Sequence, residues 1–281
     1  MELILEPLQY GFFSRGLIGV ALVAAICAVV GVYVVLRGLS YIGDALAHAI
    51  FPGIIVAYVL KLNLFFGAVI ASLVAAFSIG FVRRHSKLRE DSSIAIVFVG
   101  MFALGIMLLS KARTYKVDLE NFLVGSPLAV SSDDLLAIVA LGGLVVLVLL
   151  ALHKELLLVS FDETEARVIG LPVELLNNLL LVLIALTVVL AIQMVGTVLV
   201  VSLLVTSSAT ARQLTKRFGT MTLVAAVIGV LAGVTGMYIS YYAATSPGAT
   251  IVMTNTVLFL LSLAWNAVRS RIIARAPAQP A

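Results

Sequence analysis

Two side chains four residues apart carry most of the chemistry that this sequence offers. In Ser40-Tyr-Ile-Gly-Asp-Ala-Leu-Ala-His-Ala-Ile-Phe-Pro-Gly53, Asp44 and His48 lie within an apolar stretch. At this spacing both fall on one face of a helix. A carboxylate oxygen and an imidazole nitrogen suit Mn²⁺, Fe²⁺ or Zn²⁺, whereas Mg²⁺ and Ca²⁺ favour oxygen ligands alone. The flanking Gly43, Ala45, Ala47 and Ala49 allow other helices to come close. Such metals take about four to six ligands, so the pair is incomplete in one chain. A symmetric dimer around a pathway would supply two Asp and two His. The competing reading is local: Asp44 caps a half-helix or pairs with Arg37, and His48 donates to a backbone carbonyl.

A second candidate lies in the polar stretch from about 153 to 174, which contains Phe161-Asp-Glu-Thr-Glu-Ala-Arg-Val-Ile-Gly-Leu-Pro172. Asp162 reads as an N-cap with Glu165 at the capping-box position. Gly170 and then Pro172 stop the helix, so a short amphipathic helix is expected over about 163–169. Its acidic character is wrong for an anionic lipid surface, which attracts basic helices, and favours docking into a partner over a plain connection. A third candidate is Val195-Gly-Thr-Val-Leu-Val-Val-Ser-Leu-Leu-Val-Thr-Ser-Ser-Ala-Thr-Ala-Arg212. There Ser202, Thr206, Ser207 and Ser208 could line a path, although such hydroxyls more commonly bond back to their own helix. Asn177, Asn178, Gln193 and Asn255 read as interhelical glue, His85 and His153 as solvated loop residues, and Cys27 as a small apolar-site residue.

The elements that must position these groups are membrane helices. Of the 281 residues 62% are hydrophobic and 11% charged, with a mean hydropathy of +1.19. A soluble domain has about 45–50% apolar and about 25% charged residues, so a water-soluble enzyme is excluded. Apolar runs appear at about 16–36, 40–60, 63–82, 92–110, 134–152, 175–194, 197–211, 219–242 and 250–268, each near the roughly 20 residues a bilayer crossing needs. The second holds Asp44, His48 and Pro52, and the seventh is short and ends in hydroxyl residues. Both are candidates for broken helices, so eight to nine spans are expected. The fold class is therefore an all-α polytopic bundle, one permease-sized domain over 1–273 followed by an Ala/Pro tail at 274–281 expected to be disordered.

Orientation follows from Lys and Arg in short loops. Arg83, Arg84, Lys87 and Arg89 form the densest cluster, Arg212, Lys216 and Arg217 a second, and Arg269, Arg271 and Arg275 a third. Nine spans with the N-terminus outside place all three in the cytoplasm, with the C-terminus. Lys111, Arg113 and Lys116 dissent, falling outside beside Asp118 and Glu120. The acidic start, with Glu2 and Glu6, lacks the basic region of a removable signal. No Gly-x-x-x-x-Gly-Lys-Ser/Thr, His-Glu-x-x-His or Gly-x-Ser-x-Gly motif is present, so neither catalytic residues nor a permanently bound cofactor are expected. If ATP drives this protein, the ATPase is another polypeptide.

At these three stretches the chain resembles the membrane permeases of bacterial manganese/zinc/iron ABC uptake systems. Arg37-Gly-Leu-Ser-Tyr-Ile-Gly-Asp44 through His48 to Gly53 is similar to the family's most specific segment, and Val195 to Arg212 to a second. Asp162 to Gly170 resembles the loop that couples to the ATPase, and Leu123-Val-Gly-Ser126 a weaker fourth. The resemblance implies a type II importer permease in the inner membrane. Asp44 and His48 would coordinate metal (Mn²⁺ or Zn²⁺, with Fe²⁺ a third candidate), and Asp162, Glu163, Glu165, Ala166 and Gly170 would meet the ATPase. It further implies a homodimer, or a pair of related permeases, with two ATP-hydrolysing cytoplasmic subunits and an extracytoplasmic metal-binding protein. One departure is visible: the family's Pro-Ala-Ala-Thr-Ala is Ser207-Ser-Ala-Thr-Ala here, and loss of the proline would straighten the helix. Three alternatives compete: a permease for iron-chelate or cobalamin-type complexes, an ion-coupled secondary metal transporter, and a membrane-embedded enzyme. A bulky chelate would leave the Asp/His pair without a job.

Overall fold

A computed structural model describes residues 5–86, 88–111 and 127–275, with side chains as far as 268. Among these residues the chain is helical throughout, with nine segments long and apolar enough to cross a membrane. They are α1 (Gly11–Arg37), α2 (Ile42–Ala49) continued by α3 (Phe51–Val59), α4 (Leu64–His85), and α5 (Glu90–Lys111). There follow α6 (Ser132–Ala137) joined to α7 (Gly143–Ala151), then α8 (His153–Phe161), α9 (Glu163–Val168) and α10 (Val173–Val195). The chain ends with α11 (Thr197–Val201) joined to α12 (Ser207–Leu214), α13 (Phe218–Ala243) and α14 (Pro247–Arg275). Lys87, Arg113, Lys116, Asp118, Glu120, Glu2, the Leu123–Ser126 motif, residues 276–281 and the side chains of Arg269, Arg271 and Arg275 lie outside the described residues.

All nine apolar runs are helical, and the two expected to be irregular are. The second span divides at Ile50. Pro52 has no N–H to give the His48 carbonyl four residues back, which interrupts the helical ladder there. The seventh span widens into a π turn over Ser202–Thr206. The helix then runs on through Ser207 in ordinary helical geometry, so the missing proline leaves it continuous, while the irregularity sits one turn earlier. A similar π turn at Ile138–Gly142 joins α6 to α7, and no Pro or hydroxyl cluster announces it. Two expectations need correction. The stretch from His153 is the helix α8 and not loop, and α14 extends to Arg275, two residues into the supposed tail.

α1 and α10 are buried on most sides and form the centre, as expected of helices that are apolar all round. α13, the π turn at Ser202–Thr206 and α10 pack on α1, and α4 packs on α10. Gly31 makes the approach of the π turn possible: a Cβ there would collide with the carbonyl of Leu204. α1 ends at Gly38 with φ +74°, a conformation that favours glycine. The Leu39 N–H then donates to the Val34 carbonyl at 2.9 Å, closing the helix in a Schellman-type turn that leads straight into α2.

Candidate metal path

α2 presents Asp44 in its first turn and His48 in its last. Their side chains are 53% and 30% exposed, with His48 Nδ1 3.6 Å from Asp44 Oδ1. The same nitrogen donates to the Asp44 backbone carbonyl at 2.9 Å, so the proton is on Nδ1 and the Nε2 lone pair is left for a ligand. The rings of Phe98 and Phe102 from α5 stand edge-on to the imidazole, each 5.8 Å away, and hold its plane. Phe102 packs in turn on Phe51 at 5.7 Å. Gly105 leaves room for that Phe51 ring. Gly53 and Gly67 press α3 and α4 together, since a Cβ on either would run into the carbonyl of the other.

The local reading of this pair is half realised. His48 does donate to a backbone carbonyl, but Arg37 does not turn to Asp44. Its Nε donates to Ser160 Oγ at 2.9 Å and its Nη1 to Asn177 Oδ1 at 2.6 Å. Asp44 is thus left with His48 as its recorded ion-pair partner, facing out of the protomer in a membrane span. That position is costly, roughly 2.5–3.5 kcal/mol on insertion scales, unless a cavity or a partner covers it. Among the described residues no cluster of three or more His, Cys, Asp or Glu is placed to hold a metal, so a metal at Asp44 and His48 would need ligands beyond those that the described residues bring there.

The four hydroxyl candidates lie elsewhere. Ser202, Ser207 and Ser208 are buried. Asn255 Nδ2 of α14 donates to Ser202 Oγ at 3.1 Å and to Ser207 Oγ at 3.0 Å, and Ser208 Oγ donates to the Ala28 carbonyl of α1 at 3.1 Å. Thr206 closes the π turn, where its carbonyl accepts from Thr210. These three serines tie helices together. Against α2 the π-turn segment presents Val201 and Leu204, next to Gly43.

α9 is capped by Asp162 as its sequence suggests, although the Asp162 N–H donates to the Leu158 carbonyl at 2.9 Å and so does not complete a capping box with Glu165. Asp162 Oδ1 accepts from the Thr164 and Glu165 N–H groups at 2.9 and 3.0 Å. Gly170 takes φ +88°, and the Leu171 N–H donates back to the Ala166 carbonyl at 3.0 Å. Ala166 is fully buried, while Phe161, Val168 and Ile169 are each more than 60% exposed. What sequence reasoning misses is how this helix is held. Arg83 at the end of α4 lies 3.3 Å from Glu163, 3.4 Å from Glu174 and 3.7 Å from Glu90. Arg167 pairs with Glu174 at 2.9 Å, and Asn177 Nδ2 donates to Glu163 at 2.9 Å. Through Asn177 and Arg37 the set reaches α1. The only signal in the sequence was a carboxylate or guanidinium at each of several span ends.

Residues 9–266 match the ABC 3 transport family. The chain belongs to that family. The match takes in α2, α9 and the hydroxyl segment alike. The manganese transport system membrane protein MntC of Halalkalibacterium halodurans is 40% identical over 257 residues, covering 92% of this chain and 88% of the relative. The chelated iron transport system membrane protein YfeD of Yersinia pestis is 36% identical over 268 residues, with 95% and 90% covered. The solved PsaBC structure from Streptococcus pneumoniae, in complex with Fab, superposes with a TM-score of 0.81 at 35% identity, covering 93% of this chain and 94% of that one. A metal-chelate type ABC transporter in an inward-facing conformation, 17% identical with a TM-score of 0.72, shares the fold. An all-helical, multi-pass ABC permease is therefore the architecture of this chain.

Proposed function

We propose that this ABC 3 family member is the permease of an ATP-driven importer for a divalent transition metal, and that Asp44 and His48 hold the ion in transit. One observation carries the reading: at membrane depth a carboxylate and an imidazole share one helix face, with Nε2 turned away from its own backbone. Manganese leads among the candidate ions, because relatives at 37–40% identity carry manganese names. Zn²⁺ and Fe²⁺ fit the same donors. A second copy of the chain would bring the site to two Asp and two His and cover the exposed carboxylate. A related permease could fill the same place. The ion would be held briefly, weakly enough to leave.

The protein hydrolyses nothing itself in this reading. Two cytoplasmic ATPase subunits dock on Phe161, Val168 and Ile169 of the α9 region, with Asp162, Glu163, Glu165, Ala166 and Gly170 shaping and anchoring that helix. An extracytoplasmic binding protein delivers the ion. The N-terminus lies outside and the C-terminus in the cytoplasm of a bacterial inner membrane, as the basic clusters ask. ATP-driven closure moves α9, and the Arg83 pairs pass that motion to α4, α5 and α10. The deciding experiment is uptake of Mn²⁺, Zn²⁺ and Fe²⁺ by cells expressing the permease with its partners, wild type against Asp44→Asn. Uptake of one ion that the variant loses, with the complex still assembled, is the expected result. No metal uptake by an assembled wild-type complex would overturn the reading in favour of a chelate permease.

A further inference from the structure

Metal transport leaves one face of α4 unexplained. Phe66, Ile70, Val74, Phe77 and Phe81 follow one another at helical spacing and are each 49–64% exposed. The helix has 22 residues and so is about 33 Å long, close to the roughly 30 Å of a bilayer's hydrocarbon core. The stripe is thus long enough to run the depth of the hydrocarbon core, which would set Arg84 and His85 at the headgroup layer. At that end a groove of about 570 Å³ opens, lined by Phe77, Ser78, Phe81, Arg84, His85 and Asn178. Gly80 shapes its floor, since a Cβ there would run into the Asn178 amide. Asn178 Oδ1 is itself covered and turned onto Gly80, so the groove's polar lining comes from Arg84, His85 and Ser78.

The two adjacent arginines behave differently. Arg83 turns inward to three carboxylates. Arg84 is exposed and has no recorded carboxylate partner among the described residues. The His85 ring lies 4.2 Å from that of Phe81, and its Nδ1 donates to the Phe81 carbonyl at 3.0 Å, which leaves Nε2 free of that bond. A cation, an imidazole and an apolar channel thus meet at one end of a span, where basic pockets recognise anionic headgroups.

We propose that this groove binds an anionic phospholipid. The phosphate sits on Arg84 beside His85, and an acyl chain runs down Phe81, Phe77 and Val74. A free phosphate would use the arginine but leave the apolar stripe idle, which is why a lipid is the better occupant. The reading requires only that the chain spans a membrane, so it stands apart from the identity of the transported ion.

The test is native mass spectrometry of the purified permease with its ATPase partner, exchanged into phosphatidylglycerol or phosphatidylcholine. Wild-type protein should retain phosphatidylglycerol in preference, and Arg84→Gln should cut that preference roughly fivefold, the effect of one basic residue at an anionic surface. Arg15→Gln, which removes a cation at the other end of the bundle, should change nothing. Equal retention in wild type and Arg84→Gln would overturn the proposal. So would displacement of the lipid by inorganic phosphate, which would mark the groove as a site for the free anion, or an absence of retained phosphatidylglycerol in both proteins.

Discussion

At the α2 face one carboxylate and one imidazole stand 53% and 30% exposed, 3.6 Å apart, among phenylalanine rings. At the end of α4, Arg83 is 13% exposed and within 4 Å of three carboxylates. The second cluster completes its charge within one chain and binds several helices into one body. The first is left short of ligands and open on one side. On the proposed reading the difference has a reason: a group that takes up and releases a cargo ion is left unsatisfied by its own fold, whereas a joint that transmits force is closed within it. The same contrast recurs among the small polar residues. Ser202, Ser207 and Ser208 spend their hydroxyls on Asn255 and Ala28, so in this structure they act as ties between helices.

This comparison can be broken in four places. Asp44→Asn keeps the shape of the side chain and removes the charge, and should bring metal uptake down to background while the purified complex keeps its size on gel filtration. Normal uptake would take Asp44 out of the path. Arg83→Gln should leave ATP hydrolysis running but lower uptake per ATP roughly tenfold, within the usual range of coupling energies. If uptake per ATP held steady, the ionic joint would be structural only.

Gly53→Val should force α3 off α4 at the crossing with Gly67 and cost about 1–3 kcal/mol, as overpacking does, seen as a lower unfolding temperature in detergent. Because α3 continues from α2, uptake should fall with it. Ser208→Ala should have the smallest effect, about 0.6 kcal/mol, the average for interhelical bonds in membranes, with uptake unchanged. Loss of uptake at wild-type stability would move the serine from the joint to the path.

Much of this was open to sequence reading because a bilayer imposes strict rules. The nine apolar runs, the interruption at Pro52, the capped helix at Asp162 to Gly170 and the Asp44–His48 pair each rest on local chemistry: hydropathy, a missing N–H, a side-chain cap, an i, i+4 spacing. The π turn at Ile138–Gly142 left no such trace, because nothing in Ile-Val-Ala-Leu-Gly distinguishes a widened turn from an ordinary one. The hydroxyl cluster was ambiguous for a related reason. A serine at membrane depth has the same sequence signature whether it faces water or an asparagine on another helix.

The sequence by itself determined which segments enter the membrane, where they are capped and broken, and which two side chains can present metal ligands together. Each of these depends on contacts within a few residues or on the solvent outside. Only the tertiary structure decided that Arg37 serves Ser160 and Asn177 and leaves Asp44 alone, that Arg83 gathers Glu90, Glu163 and Glu174, and that Arg84, one residue further, faces away from them. Those choices join residues up to 140 positions apart. They turn on which face of a helix is covered, and hydropathy that is uniform around a membrane helix carries no record of that face.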